Sequence, residues 1–156
     1  MPSIWQVIHS VFTGSAPRRM DTPARIPVVA LVTSDQDRYV LGSVSGQDSL
    51  EVHFAESCEE AYTIANRLVA PVILLDRDLL GTDWKTAVKI LADSPHGACV
   101  ILISRVVDDY LRQEVISRGG YDVLPKPLRA DRVIPLVKLA LSYWMSAPKP
   151  AVQARR

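Results

Sequence analysis

Residues 71–81 read PVILLDRDLLG, and this stretch decides the fold class. Four apolar residues run without interruption from Val72 to Leu75, with a proline before them and a glycine in the loop beyond. A short apolar run bounded by turn residues is typical of a strand buried on both faces, as in a parallel sheet. Asp76 ends the run. It therefore lies at the carboxyl end of the strand, where open α/β sheets place their ligand chemistry.

The same pattern returns twice further along the chain. Residues 100–103 are apolar and end at Ser104, and the short apolar pair at 123–124 leads into Lys126. Because the carboxyl ends of parallel strands share one edge of the sheet, Asp76, Ser104 and Lys126 are predicted to converge there. A carboxylate, a hydroxyl and an amine in one place suit the binding of a phosphoryl group.

Strand and helix signals alternate through most of the chain. The predicted strands are 28–32, 50–54, 72–75, 100–103 and 123–124, and the predicted helices are 36–44, 58–69, 84–91, 109–118 and 130–145. Ser57 and Glu60 form a capping box for the second helix, and Pro135 is expected to kink the last helix or to split off its first turn. The alternation predicts an α/β fold, a flavodoxin-like doubly wound five-stranded parallel sheet with strand order 2-1-3-4-5 and helices on both faces.

The chain divides into three parts. Residues 1–26 form an N-terminal arm, residues 27–146 the α/β domain, and residues 147–156 a tail expected to be disordered. In the arm, apolar residues recur at helical spacing and predict a short amphipathic helix followed by a linker rich in proline. These apolar residues are Ile4, Trp5, Ile8, Val11 and Phe12.

Composition excludes several classes of protein. The 156 residues are 48% apolar and 22% charged, which is typical of one globular domain. The net charge of +1 gives no global argument for a nucleic acid or an anionic membrane as partner. No stretch approaches the roughly 20 apolar residues of a membrane span, and the start is a poor signal peptide, so a cytoplasmic location is expected. Cys58 and Cys99 lack metal-ligand spacing and are expected to be reduced thiols.

Residues from Val28 to Tyr143 resemble a response-regulator receiver domain, the module that accepts a phosphoryl group from a histidine kinase. The resemblance rests on Asp76, the following Leu80-Gly81 loop, Ser104, and the segment from Gly119 to Pro127. It covers nearly three quarters of the chain. No output domain is expected after it, and no helix-turn-helix or basic recognition helix is present in the sequence.

The resemblance implies roles for the strand-end residues. Asp76 would be the phosphoacceptor, Ser104 the switch hydroxyl, and Lys126 the cation that contacts the phosphoryl oxygens. The peptide bond before Pro127 is expected to be cis. The implied partners are a histidine kinase or phosphotransfer protein and a downstream protein target. The protein would not be an enzyme beyond phosphorylating and dephosphorylating itself.

The acidic pair that receivers use to hold Mg²⁺ is missing, because the aligned positions are Thr33 and Ser34. Mg²⁺ prefers near-octahedral oxygen ligands that include one or two carboxylates. Asp76, Asp35 and Asp78 are the remaining candidate ligands, so Mg²⁺ is expected to bind weakly or not at all.

Three further departures affect the same region. The side chain of Asp78 could face the site or could be a solvated loop acid. Arg105, directly after Ser104, could close the site or hold an anion. Val123 stands where many receivers carry an aromatic switch residue.

Two functions therefore stay open. One is a phosphoacceptor in a phosphorelay, and the other is a pseudo-receiver that keeps the fold and acts only as a protein-interaction or dimerisation module. A flavin-binding electron carrier on the same fold is disfavoured, because residues 33–37 contain acids and no glycine where a phosphate loop would lie.

The last predicted helix carries a second apolar row, formed by Leu136, Leu139 and Tyr143. One buried face does not require it, so the row is a candidate interface with a partner or with a second copy of the chain. The alternative is internal cover by the arm, through Ile4, Trp5 and Ile8. A membrane-surface role for the arm is disfavoured because its polar face lacks Lys and Arg.

Overall fold

The computed structural model describes residues 24–148, which form one parallel sheet covered by helices. The strands are β1 (Ile26–Leu31), β2 (Leu50–Phe54), β3 (Val72–Asp76), β4 (Cys99–Ser104) and β5 (Asp122–Pro125). The helices are α1 (Asp35–Val44), α2 (Cys58–Leu68), α3 (Trp84–Ala92), α4 (Asp109–Ser117) and α5 (Ala130–Ser146). The predicted amphipathic helix of the arm and most of the tail lie outside the described residues.

The strand order is β2-β1-β3-β4-β5, as predicted, and every neighbouring pair is parallel. The register aligns Val28 with Val72 and Val72 with Cys99, so the strands begin at a common amino edge. At the other end Asp76 pairs with Ile103. The carboxyl ends of β1, β3 and β4 therefore form one rim, which is the edge predicted to carry the site.

Side chains alternate between two core layers, as the period of a strand requires. On β3, Val72 and Leu74 pack in the layer under α1 and α5, whereas Ile73 and Leu75 pack under α2, α3 and α4. All four side chains are fully buried. By the same alternation, Asp76 turns toward the side of α1 and α5.

The helix starts follow the caps in the sequence. Ser57 Oγ accepts a hydrogen bond from Glu60 N at 3.1 Å, which confirms this half of the capping box. The return bond differs, because Glu60 Oε1 accepts from Glu56 N at 2.7 Å and not from Ser57. In the last helix the predicted split is wrong: α5 runs without interruption through Pro135, which lies in its second turn.

The candidate interface on α5 is partly solvent-exposed. Leu136 packs against the core, whereas Leu139 and Tyr143 are 60% and 57% exposed. The Tyr143 ring also lies 5.5 Å from that of Tyr121. Among residues 24–148, no helix is long and apolar enough to cross a lipid bilayer. Among residues 24–148, Cys58 and Cys99 form no disulfide, and Cys99 is buried.

Removal of the α4 cap is expected to reduce the free energy of unfolding by about 1 kcal/mol. Asp108 Oδ1 accepts a hydrogen bond from Leu111 N at 2.8 Å, and Asp108→Ala leaves that first-turn N–H without its partner. Gln113→Ala, on the exposed side of the same helix, is the control and should change stability by no more than about 0.5 kcal/mol. Urea unfolding measures both. Equal losses would show that the cap bond contributes nothing.

Candidate functional site

Asp76 lies at the centre of the carboxyl edge and is fully buried. Its Oδ2 accepts hydrogen bonds from Lys126 Nζ at 2.9 Å and from Thr33 Oγ1 at 3.0 Å. Its Oδ1 accepts from Asp78 N at 2.8 Å. Both carboxylate oxygens are thus satisfied by donors from three separate segments, which offsets the cost of burying the charge.

Lys126 joins two acids. Its ammonium lies 2.9 Å from Asp76 Oδ2 and 3.3 Å from Asp37 Oδ2, and the latter contact is an ion pair without the alignment of a hydrogen bond. The side chains of Lys126, Asp37 and Asp76 are 10%, 5% and 0% exposed. The bond between Lys126 and Pro127 is cis, as predicted.

Asp37 is a member of this buried cluster that the sequence did not predict. Ser34 Oγ accepts a hydrogen bond from Asp37 N at 3.1 Å, so Ser34 is the N-cap of α1 and Asp37 lies three residues later. The acid predicted to serve the site was Asp35, but Asp35 is the exposed first residue of the helix. The spacing Ser34-x-x-Asp37 was the signal available in the sequence. It is typical of a capped helix start, in which the third residue of the first turn lies beside the capping side chain.

Thr33 was noted in the sequence only because it stands where a receiver has an acid. In the structure its hydroxyl donates a hydrogen bond to the Asp76 carboxylate. A second unpredicted residue is Arg77, whose Nη1 lies 3.4 Å from Ser104 Oγ and whose guanidinium is 5.7 Å from the centre of the Trp84 ring. Ser104 itself is buried, and its hydroxyl donates to Val106 O at 2.8 Å. In this arrangement the hydroxyl is occupied within its own loop.

Asp78 and Arg105 pair with each other outside the buried cluster. Asp78 Oδ2 lies 3.4 Å from Arg105 Nη1, and both side chains are at least half exposed. The side chain of Asp78 therefore faces outward, and only its backbone N–H contacts Asp76. The ion pair links the loop after β3 to the loop after β4.

A carboxyl-edge cleft of about 330 Å³ opens beside the cluster. It is lined by Thr33, Ser34, Gln36, Asp37, Arg105, Lys126 and Pro127. Asp76 has no exposed surface, because Lys126 and Thr33 lie against its outer oxygen. A reagent in the cleft reaches the carboxylate only after these two side chains move.

The donor set does not fit a magnesium ion held by several carboxylates. Within residues 24–148, no group of three or more His, Cys, Asp or Glu side chains is placed to hold a metal. The two buried acids that come closest, Asp37 and Asp76, already share the Lys126 ammonium. A proposed ligand, Asp78, is paired with Arg105.

The ionisation of the central pair is set by opposing effects. Burial acts to raise the pKa of Asp76, but hydrogen bonds from Asp78 N, Lys126 and Thr33 outweigh it and hold the pKa below its usual value. Burial acts to lower the pKa of Lys126, but Asp76 and Asp37 outweigh it and hold the pKa above its usual value. Both groups are therefore charged at neutral pH.

These shifts predict how stability depends on pH. The lowered pKa of Asp76 stabilises the fold above its unfolded value of about 3.9, and this contribution is lost as pH falls further. The raised pKa of Lys126 stabilises the fold below about 10.4, and this contribution is lost at higher pH. Chemical unfolding of the wild type should show a steeper loss below pH 4 than that of Asp76→Asn. Parallel acid limbs would contradict the assignment.

Comparison with solved structures shows which fold the chain adopts. It matches the response regulator domain of CheB from Thermotoga maritima at 23% identity and a TM-score of 0.64, over 80% of this chain and 99% of that one. It matches chemotaxis response regulator CheY4 of Vibrio cholerae at 18% identity and a TM-score of 0.67, over 75% and 99%. NtrX from Brucella abortus matches at 22% identity and a TM-score of 0.66, over 76% of this chain.

The chain thus has the fold of response-regulator receiver domains, and the predicted fold class is confirmed. It spans about 28% of the NtrX chain and nearly all of the CheB and CheY4 chains. No protein-family model and no curated protein sequence matches it.

Proposed function

We propose that the protein is a receiver-like component of a phosphorelay, or two-component, signalling system, with Asp76 as its candidate phosphoacceptor. The observation that carries the proposal is the 2.9 Å contact between Asp76 Oδ2 and Lys126 Nζ, two residues 50 positions apart. A buried carboxylate and an ammonium at the carboxyl edge of this sheet supply a nucleophile and a cation for phosphoryl oxygens.

The proposed reaction transfers one phosphoryl group from a phosphodonor to Asp76. A carboxylate oxygen of Asp76 attacks phosphorus, the bond between phosphorus and the donor breaks, and the donor's leaving group takes the electron pair. The product is an acyl phosphate. Lys126 and Thr33 must both move off Asp76 Oδ2 before the attack, since both bond to that oxygen. Lys126 then contacts the phosphoryl oxygens.

A phosphorylation-independent pseudo-receiver is the second candidate, and one observation favours it. The position of the first acid of a receiver's pair is Thr33, which carries no charge and donates a hydrogen bond to Asp76. In that function the Lys126 ion pairs hold the fold in one state. The implied partners of either candidate are proteins: a kinase or phosphotransfer protein that supplies the phosphoryl group, and a downstream target that reads the surface.

Treatment with acetyl phosphate and Mg²⁺, followed by intact-mass measurement, separates the two candidates. For the first we expect a gain of one phosphoryl group that is lost in Asp76→Asn and kept in Asp93→Asn, an exposed acid on the far end of α3. The adduct should also be released by hydroxylamine, which cleaves acyl phosphates. If the wild type gains no phosphoryl group at a donor concentration that labels a known receiver, the first candidate is wrong and the pseudo-receiver is the function that remains.

A further inference from the structure

A second cleft lies at the opposite, amino edge of the sheet. This amino-edge cleft has a volume of about 430 Å³ and lies where β4 and β5 begin, between the C-terminal ends of α4 and α5. Its walls include Ile116, Tyr121, Tyr143, Ala147 and Pro148. Among the described residues, those that line it carry no charge, whereas the carboxyl-edge cleft and a cleft beside α3 both include lysine, arginine and aspartate.

The rim of this cleft presents apolar side chains to solvent. Ile116 and Tyr143 are each 57% exposed, and Leu139, one turn before Tyr143 on α5, is 60% exposed. Ile116 and Tyr143 line the same cleft from two helices, and large apolar side chains exposed around one cleft are a candidate contact for another segment or molecule. The lining of the cleft favours an uncharged occupant, because a charged group buried in the cleft would find no opposite charge among the described lining residues.

We propose that residues 4–12 of the same chain occupy the amino-edge cleft, with Trp5 and Ile8 among the apolar side chains that contact it. Residues 4–12, IWQVIHSVF, contain no Asp, Glu, Lys or Arg, which matches the lining of the cleft. The residues that follow Pro148 suit it less, because Lys149, Arg155 and Arg156 lie among them.

The point at which residues 1–23 join the domain favours the same occupant. Ala24 packs against the core beside Ile26, at the start of β1, and the parallel register places that start on the amino edge. From β1 to β4 there are two strand spacings, which amount to about 10 Å. Residues 13–23 reach up to about 35 Å when extended and about 18 Å as a coil, so they span the gap. Because this linker of residues 13–23 is short, the effective concentration of residues 4–12 at the cleft is high.

This occupant would be independent of chemistry at Asp76. Residues 4–12 would cover Ile116 and Tyr143 at the amino edge of the sheet. The carboxyl edge, with Asp76, would stay open to partners. The inference therefore stands whether or not the protein is phosphorylated.

A nitroxide on the full-length chain tests the proposal. The label is attached to a cysteine that replaces His9, in a Cys58→Ser, Cys99→Ala background, because Cys99 itself lines the cleft and must not carry the label. We expect paramagnetic broadening of the amide resonances of Gly119 and Gly120, which lie in the cleft. Ile116→Glu should abolish the broadening, because it places a charge in the lining.

Ile90→Glu is the matched control, since Ile90 is a similarly exposed isoleucine on α3 outside this cleft and should leave the broadening unchanged. Neither substitution changes a buried residue, so both variants should fold. Unchanged chemical shifts of the β3 amides would verify this. Absence of broadening, or broadening that survives Ile116→Glu, would overturn the proposal. Broadening of isotope-enriched, label-free chain when it is mixed with labelled chain would assign the cleft to a second copy and would also overturn it.

Discussion

Lys126→Met is expected to reduce the free energy of unfolding by about 3–5 kcal/mol at neutral pH. The substitution keeps most of the side-chain volume and removes the ammonium that, among residues 24–148, contacts both acids. Asp76 and Asp37 are 0% and 5% exposed, so both would remain buried without their shared cation. An uncompensated buried charge costs far more than the net contribution of an intact pair, and this asymmetry sets the size of the effect.

The control for this variant is Lys89→Met. Lys89 pairs with Asp93 at 3.1 Å on the surface of α3, with both side chains about two thirds exposed, so its loss should cost no more than about 1 kcal/mol. The double variant Lys126→Met, Asp76→Asn should recover part of the lost stability. Asp76→Asn removes one of the two buried carboxylates that Lys126→Met leaves without a cation. Urea unfolding measures all three. A Lys126→Met chain as stable as Lys89→Met would show that the buried network does not stabilise the fold.

Gly120→Ala is expected to destabilise the protein by about 1–3 kcal/mol. A methyl group at this position would lie 2.5 Å from Val115 Cγ1, 3.0 Å from Val115 O and 3.1 Å from Val88 Cγ1. Val115 and Val88 are fully buried, and one of the three contacts is with backbone, so neither rotation nor exposure relieves the overlap. Gly120 therefore permits the close approach of the α4 end to the start of β5.

Gly42→Ala has the opposite expected sign and is the matched control. Gly42 lies within α1, and a methyl group there would meet nothing within 4 Å. The change should stabilise the chain by roughly 0.5–1 kcal/mol, because alanine loses less backbone entropy than glycine in a helix. Thermal unfolding distinguishes the two variants by the direction of the shift in Tm. A gain of stability in Gly120→Ala would show that the α4–β5 connection is loosely packed.

Much of the fold could be predicted from the sequence because its strands are short apolar runs with clear boundaries. The two central strands, β3 and β4, read as continuous apolar segments since both of their faces are buried. The convergence of Asp76 and Lys126 followed from the same logic, because parallel strands share a carboxyl edge. The expected split of the last helix at Pro135 was wrong, because the loss of one hydrogen bond is tolerated by a helix that is packed on the sheet.

The rest of the site depends on rotations that no strand pattern encodes. The rotation of α1 about its own axis decides whether Asp35 or Asp37 reaches Lys126. The Ser34 cap sets where the helix begins and therefore which of its residues face the sheet. The outward direction of Asp78 depends on its pairing with Arg105, a residue in a different loop. Ser104 was expected to face a phosphoryl group, yet its hydroxyl bonds to Val106 in the present arrangement.

The counter-ion of the two buried acids is a side chain of the protein itself. A dissolved ion occupies a site according to its concentration, so the stability of a protein that needs one varies with the surrounding medium. Lys126 is covalently attached and cannot be diluted or removed by a chelator. The positive charge that Lys126 supplies at this rim is therefore present at every concentration of dissolved salt.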